Sequence, residues 1–170
     1  MRTRLPFAAG AVVCAALLGY GYYLQYAQGL EPCPLCMIQR AFFSAVMALF
    51  IIAELHGPGR IGTAVYSTLV VLFALGGAAT AGRQVWLQHL PPDKVPQCGP
   101  DLFFMLQNFP LSRTFAKVFY GSGECAAVDW KFLGLSIAGW ALVWFSVLAL
   151  YALWLALRRS APRSAPRPAR

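Results

Sequence analysis

Five cysteines supply the reactive side chains of this 170-residue chain, and two of them form a Cys33-Pro-Leu-Cys36 pair. That spacing puts two sulfurs within reach of one disulfide. Its chemistry is thiol–disulfide exchange, in which a thiolate attacks a disulfide sulfur and a second thiolate resolves the mixed disulfide. Read as the opening of a helix, the segment sets Pro34 in the first turn, where its missing N–H costs nothing. The unpaired N–H groups and macrodipole of that helix end favour a thiolate. Arg40 follows Cys36 by four residues, so the two share a helix face about 6 Å apart in rise. A cation there favours the thiolate further and would stabilise a reduced, anionic acceptor held beside it. The plainer alternative is an Arg that snorkels to the headgroups. Cys98 and Cys125 are the other spaced pair, and a structural disulfide stapling a loop is their plainer reading. The only histidines are His56 and His89, and no second close-spaced cysteine pair exists, so the spacing argues against zinc.

The elements that position these residues are membrane helices. The chain is 59% hydrophobic and 12% charged, about half the charge of an ordinary soluble domain. Stretches 5–30, 61–82 and 132–157 contain no charged residue, and each exceeds the roughly 20 residues needed to cross about 30 Å of hydrocarbon. A weaker fourth stretch, 37–55, has Arg40 and Glu54 near its ends. The reading is an all-α membrane protein of one domain, residues 1–157, forming a four-transmembrane-helix bundle. Its helices cover about 6–26, 37–55, 62–82 and 133–157, with outer loops at 27–36 and 83–131. Residues 158–170 read as a disordered basic tail.

The net charge of +8 resolves by position. Arg2, Arg4, Arg60, Arg158, Arg159, Arg163, Arg167 and Arg170 lie in the stretches that four crossings put on one side, with no acidic residue among them. Elsewhere six basic and six acidic residues cancel. This is the positive-inside bias, and it puts both termini in the cytoplasm. Nucleic-acid binding is excluded, because no basic patch is interleaved with base-reading groups. The first apolar run is too long for the core of a cleaved signal peptide and reads as a retained helix. Tyr20, Tyr22, Tyr23 and Tyr26 gather at its outer end as an aromatic belt. The small residues from Gly76 to Gly82 suit close helix packing in lipid. In the second loop, the apolar run 102–109 with Phe115, Val118 and Phe119 is too short to span. It suits either a helix lying in the interface plane or an external hydrophobic cluster.

Topology then sorts the sulfurs. Cys33, Cys36, Cys98 and Cys125 fall on the outer, periplasmic side, where disulfides persist, and Cys14 is left inside the bilayer as a small packing residue. Two outer pairs, one on a loop and one at a helix mouth beside an Arg, suggest a relay. A relay needs an electron acceptor, and a lipid-soluble quinone can arrive from the bilayer at the depth of Arg40.

At this point the chain resembles the DsbB family of bacterial inner-membrane disulfide bond formation proteins. Glu31-Pro-Cys-Pro-Leu-Cys-Met-Ile-Gln-Arg40 is similar to the family's first-loop motif. Arg83-Gln-Val-Trp-Leu-Gln-His89 resembles the start of its second loop, and Ser122-Gly-Glu-Cys125 with Trp130-Lys-Phe-Leu-Gly134 resembles its end. Gln39 departs from relatives that carry an acid there. The resemblance implies reoxidation of the periplasmic thiol oxidase DsbA and reduction of ubiquinone or menaquinone. It implies that Cys98 forms the mixed disulfide with DsbA, and that Cys125 resolves it and then attacks Cys33. Cys36 faces the quinone, Arg40 holds a quinone oxygen, and His89 lies nearby. Two alternatives stand beside it: a membrane scaffold with two static disulfides, and a quinone enzyme of the vitamin-K-epoxide-reductase kind.

Overall fold

The computed structural model describes residues 5–95, 102–121, 123–128 and 130–160. Cys98 and residues 161–170 therefore lie outside the described residues. In chain order the elements are α1 (Leu5–Gln28), α2 (Pro34–His56), α3 (Arg60–Gln88), a 3₁₀ turn (Pro92–Lys94), α4 (Leu102–Asn108), α5 (Leu111–Tyr120), α6 (Gly123–Ala126), strands β1 (Lys131–Phe132) and β2 (Leu135–Ser136), and α7 (Ile137–Ser160). Helices α1, α2, α3 and α7 are each long and apolar enough to cross a membrane, which is the four-helix bundle that the hydropathy implies. Helix α1 packs on α2, α2 on α3, and α3 most extensively on α7.

Several boundaries move for identifiable reasons. Helix α2 starts at Pro34, three residues earlier than the apolar run suggests, with Cys33 as its N-cap. It ends where Gly57 adopts φ 59° and ψ 53° and donates its N–H to Ala53, the left-handed cap that glycine permits. Helix α3 continues two turns past Gly82 to Gln88. Arg83 ended the apolar run in the sequence but not the helix, because its side chain leaves the helix to bond elsewhere. Residues 133–136 belong to a hairpin instead of the last helix. Its turn places Leu133 at φ 50° and Gly134 at φ 81°, as a tight two-residue hairpin turn requires. Helix α7 then starts at Ile137, and Gly139 donates its N–H to the Ser136 hydroxyl at 3.2 Å, a side-chain cap on the helix end. At its far end α7 runs to Ser160, so Arg158 and Arg159 are helical.

The core is aromatic and closely packed. Phe43 stacks on Phe145 with ring centroids 3.9 Å apart. A Cβ added at Gly77 would lie 2.3 Å from the Phe145 ring, and one at Gly76 would lie 2.7 Å from Phe42. The small-residue stretch thus serves to seat phenyl rings. In lipid, such packing holds helices together where the hydrophobic effect cannot. A second, smaller cluster lies at the other end of the bundle: Cys33, Leu35, Leu87, Met105, Val118 and Cys125. The outer apolar segment is helical as α4 and α5. It buries Met105 and Val118 over the sulfurs while Phe104, Phe109 and Phe119 stay exposed.

Candidate functional site

The N-terminus of α2 holds two sulfurs side by side. Cys33 Sγ donates to Cys36 Sγ at 3.1 Å, too long for the S–S bond of about 2.05 Å, so the pair is dithiol. Cys33 is buried and Cys36 is partly exposed. Cys125 on the one-turn helix α6 is wholly buried and hydrogen-bonds Cys33. That bond first, then the one to Cys36, then burial push the Cys33 thiol well above its ordinary range. The helix-end effect expected to favour a thiolate at Cys33 is outweighed there, because two sulfurs accept its proton and water is excluded.

The segment carrying Cys125 is anchored to α3. Arg83 Nε donates to the Phe119 carbonyl at 3.1 Å and Nη2 to the Tyr120 carbonyl at 2.9 Å, capping the last turn of α5. Its guanidinium also lies 4.2 Å over the Trp86 ring. Gly121 turns the chain towards α6 at φ 90°, and a Cβ there would sit 2.3 Å from Leu87. Only glycine meets both conditions.

Two glutamines absent from the sequence-level site complete it. Gln84, 4% exposed, donates through Nε2 to Cys33 Sγ at 3.3 Å and to Cys36 Sγ at 3.2 Å. Its Oε1 accepts from Gln39 Nε2 at 2.7 Å. Gln39 is the legible one, because it lies within the apolar stretch 37–55, where a polar group is costly without a partner. Gln84 falls past the charge-free run, in the expected outer loop 83–131, where a glutamine means little.

Arg40 lines the same cavity as Cys33, Cys36, Gln39 and Gln84. Its Nη1 donates to Gln25 Oε1, and Nη2 donates to the Gly21 carbonyl at 3.0 Å. It also lies 4.8 Å over the Tyr22 ring. It is a strut between α2 and α1, pinned beside the sulfurs, and does not snorkel away from them. His89 is not brought there. It is exposed at the end of α3, with Nδ1 2.8 Å from the Val85 carbonyl, and it does not line the cysteine cavity. Cys14 is buried in the phenylalanine core as packing. The cysteine cavity runs into an apolar groove of about 320 Å³ between α1 and α7, lined by Leu17, Tyr20, Trp130, Phe132, Trp140 and Trp144. The two share seven lining residues, Gly21, Phe43 and Ala141 among them.

Three sulfurs in one buried contact network can exchange a disulfide but cannot all be paired at once. Comparison with known proteins agrees with that chemistry. The family model described as "Disulfide bond formation protein DsbB" matches residues 3–155. The disulfide bond formation protein B of Aromatoleum aromaticum is 49% identical over 157 residues, covering 92% of this chain and 94% of the relative. That of Azoarcus sp. is 49% identical, covering 93% and 95%, and that of Hahella chejuensis is 52% identical, covering 82% and 84%. With the four membrane-length helices and the clustered thiols, these matches show that the chain belongs to the DsbB family, the multi-pass thiol oxidoreductases of bacterial inner-membrane disulfide bond formation.

Proposed function

We propose that the chain reoxidises a periplasmic DsbA-like thiol oxidase and passes the electron pair to the membrane quinone pool through its outer cysteines. The observation that carries this reading is the contact of Cys125 with the Cys33–Cys36 pair inside one buried cluster. A static scaffold would need only paired sulfurs, and here a third sulfur is held against the pair. In the relay, a thiolate of the partner attacks Cys98 of a Cys98–Cys125 disulfide, which joins the partner to Cys98 and releases Cys125 as thiolate, a pairing and a role that rest on the family likeness. Cys125 thiolate then attacks Cys33 of the Cys33–Cys36 disulfide. The new bond joins Cys125 to Cys33, and the electron pair of the broken bond leaves on Cys36 as thiolate.

The cavities fit a quinone. The apolar groove suits an isoprenoid tail and a flat ring among tryptophans, and its polar end presents Cys36 and Arg40. When bound, a quinone would supply a two-electron, two-proton sink. Arg40 would hold a quinone oxygen with the donors that Gly21 and Gln25 leave to it, since a guanidinium has five N–H groups. Ubiquinone and menaquinone heads suit these contacts equally, and His89 is outside the proposed site.

The test is quinone absorbance with the purified full-length protein in detergent, started by reduced DsbA. Quinone reduction matched by loss of DsbA thiols is expected, and Cys33→Ser should abolish it. No turnover with unchanged thiol counts would sink the relay.

A further inference from the structure

We infer that Gln84, oriented by Gln39, is the hydrogen-bond donor that holds the thiolate released when the Cys33–Cys36 disulfide opens. The inference rests on the relay reading above and adds to it a residue acting on the reacting sulfurs.

The geometry begins with what an amide can offer. A glutamine side chain has one acceptor oxygen and two donor hydrogens. Gln39 Nε2 donates to Gln84 Oε1 at 2.7 Å, so the Gln84 nitrogen faces away from Gln39. That nitrogen lies 3.2 Å from Cys36 Sγ and 3.3 Å from Cys33 Sγ, while the oxygen is farther, accepting from the Cys36 thiol at 3.5 Å, a bond that a Cys36 thiolate no longer makes. Reversing Gln84 alone would oppose two nitrogens at Gln39 and leave a buried donor unmet, which costs more than a hydrogen bond contributes. Both amides are 4% exposed, so water does not compete for the bond between them. The donor comes from α3 and the sulfurs from α2, so its aim is set by helix packing and not by a mobile loop.

The charge balance needs such a donor. When Cys125 thiolate bonds to Cys33, one S–S bond forms and one breaks, and the negative charge moves from Cys125 to Cys36 with no proton transferred. An anion appearing in a poorly solvated cavity is unstable unless a donor is already in place. Arg40 also lines the cavity, with the donors that Gly21 and Gln25 leave over facing a bound quinone in the reading above, while Gln88 and Ser136 are bonded to each other. Gln84 is the group in direct contact with both sulfurs.

A donor that favours the thiolate over the disulfide makes the pair easier to reduce, which a purely structural glutamine would not do. The test uses the full chain carrying Cys98→Ala and Cys125→Ala, so that only the Cys33–Cys36 pair titrates, equilibrated in glutathione redox buffers and read by thiol trapping and mass. Gln84→Met keeps the volume and removes the donor. It should move the half-reduction point about tenfold towards more reducing buffer, which is about 30 mV for a two-electron couple. Gln39→Met should move it the same way by less. In the four-cysteine protein, Gln84→Met should slow quinone reduction by about tenfold to a hundredfold. An unmoved half-reduction point in Gln84→Met, with parental thermal unfolding, overturns the inference. If that variant fails to insert, an unmoved point in Gln39→Met does so instead. The titration needs neither quinone nor partner, so a failed relay shows as absent wild-type turnover and is read separately.

Discussion

Cys33 is the residue whose surroundings say most about the order of events. Its thiol is held protonated, first by the hydrogen bond to Cys125, then by Cys36 and burial. In the reduced protein it should therefore react slowly with a thiolate-directed alkylating reagent at pH 8. Cys125→Ala removes the largest cause, and alkylation of Cys33 should speed up by at least about tenfold, since one pKa unit is tenfold in thiolate. Peptide mass spectrometry after timed quenching measures it, and an unchanged rate would mean that Cys125 does not control this thiol. The sign also fixes a stability window. Protonated Cys33 supports the reduced fold fully below the ordinary thiol range of about 8.5, and that support is lost as pH rises beyond it.

The elements matter because the reacting sulfurs come from two of them that are far apart in sequence. Helix α2 presents Cys33 and Cys36 by its own cap geometry. Helix α6 is a single turn and cannot place Cys125 unaided, so its position depends on α5 being tied to α3 through Arg83. Arg83→Ala should release that tie while leaving the bundle intact. Loss of two partly exposed charged hydrogen bonds is worth about 1–2 kcal/mol. Amide exchange across α5 should therefore accelerate about fivefold to thirtyfold, with helix content unchanged and thiol transfer from Cys125 slowed. Hydrogen-exchange mass spectrometry reads the first effect. Protection equal to wild type would show that other contacts hold the segment.

At the scale of the whole molecule, one seam of the bundle differs from the rest. Helices α1 and α7 are tied at one end, where the Tyr151 hydroxyl donates to the Pro6 carbonyl at 2.7 Å. Towards the cysteine end the apolar groove lies between them. Ala141 lines both that groove and the cysteine cavity, so Ala141→Phe should obstruct the junction between them. The expected result is a fall of about tenfold or more in kcat/KM for quinone, with transfer of electrons from reduced DsbA into the cysteines unaffected. Stopped-flow measurement of the two half-reactions separates these, and equal slowing of both would place the quinone elsewhere. Orientation is tested in intact cells. A membrane-impermeant maleimide should label Glu31→Cys from the periplasm, and it should label Gly59→Cys only after the membrane is opened. The reverse pattern would invert the reading from charge.

The class of the molecule is legible in one dimension. Four apolar runs, the one-sided arginines and the Cys33/Cys36 spacing are properties of composition and short-range order, and lipid imposes helices on such runs whatever surrounds them. The sequence also isolates Cys14 and singles out Arg40, because a charge at membrane depth is conspicuous in one dimension. Which groups meet depends on how the helices pack. Gln84 lies 48 residues from Cys36, yet their side chains are 3.2 Å apart. No local pattern encodes that meeting, since it follows from how α3 packs on α2. The same packing turns Gln84 inward and leaves His89 exposed at the end of α3. It also made Cys33 a protonated thiol where helix-end electrostatics alone favoured a thiolate, because burial beside two other sulfurs outweighs a half-charge at a helix terminus.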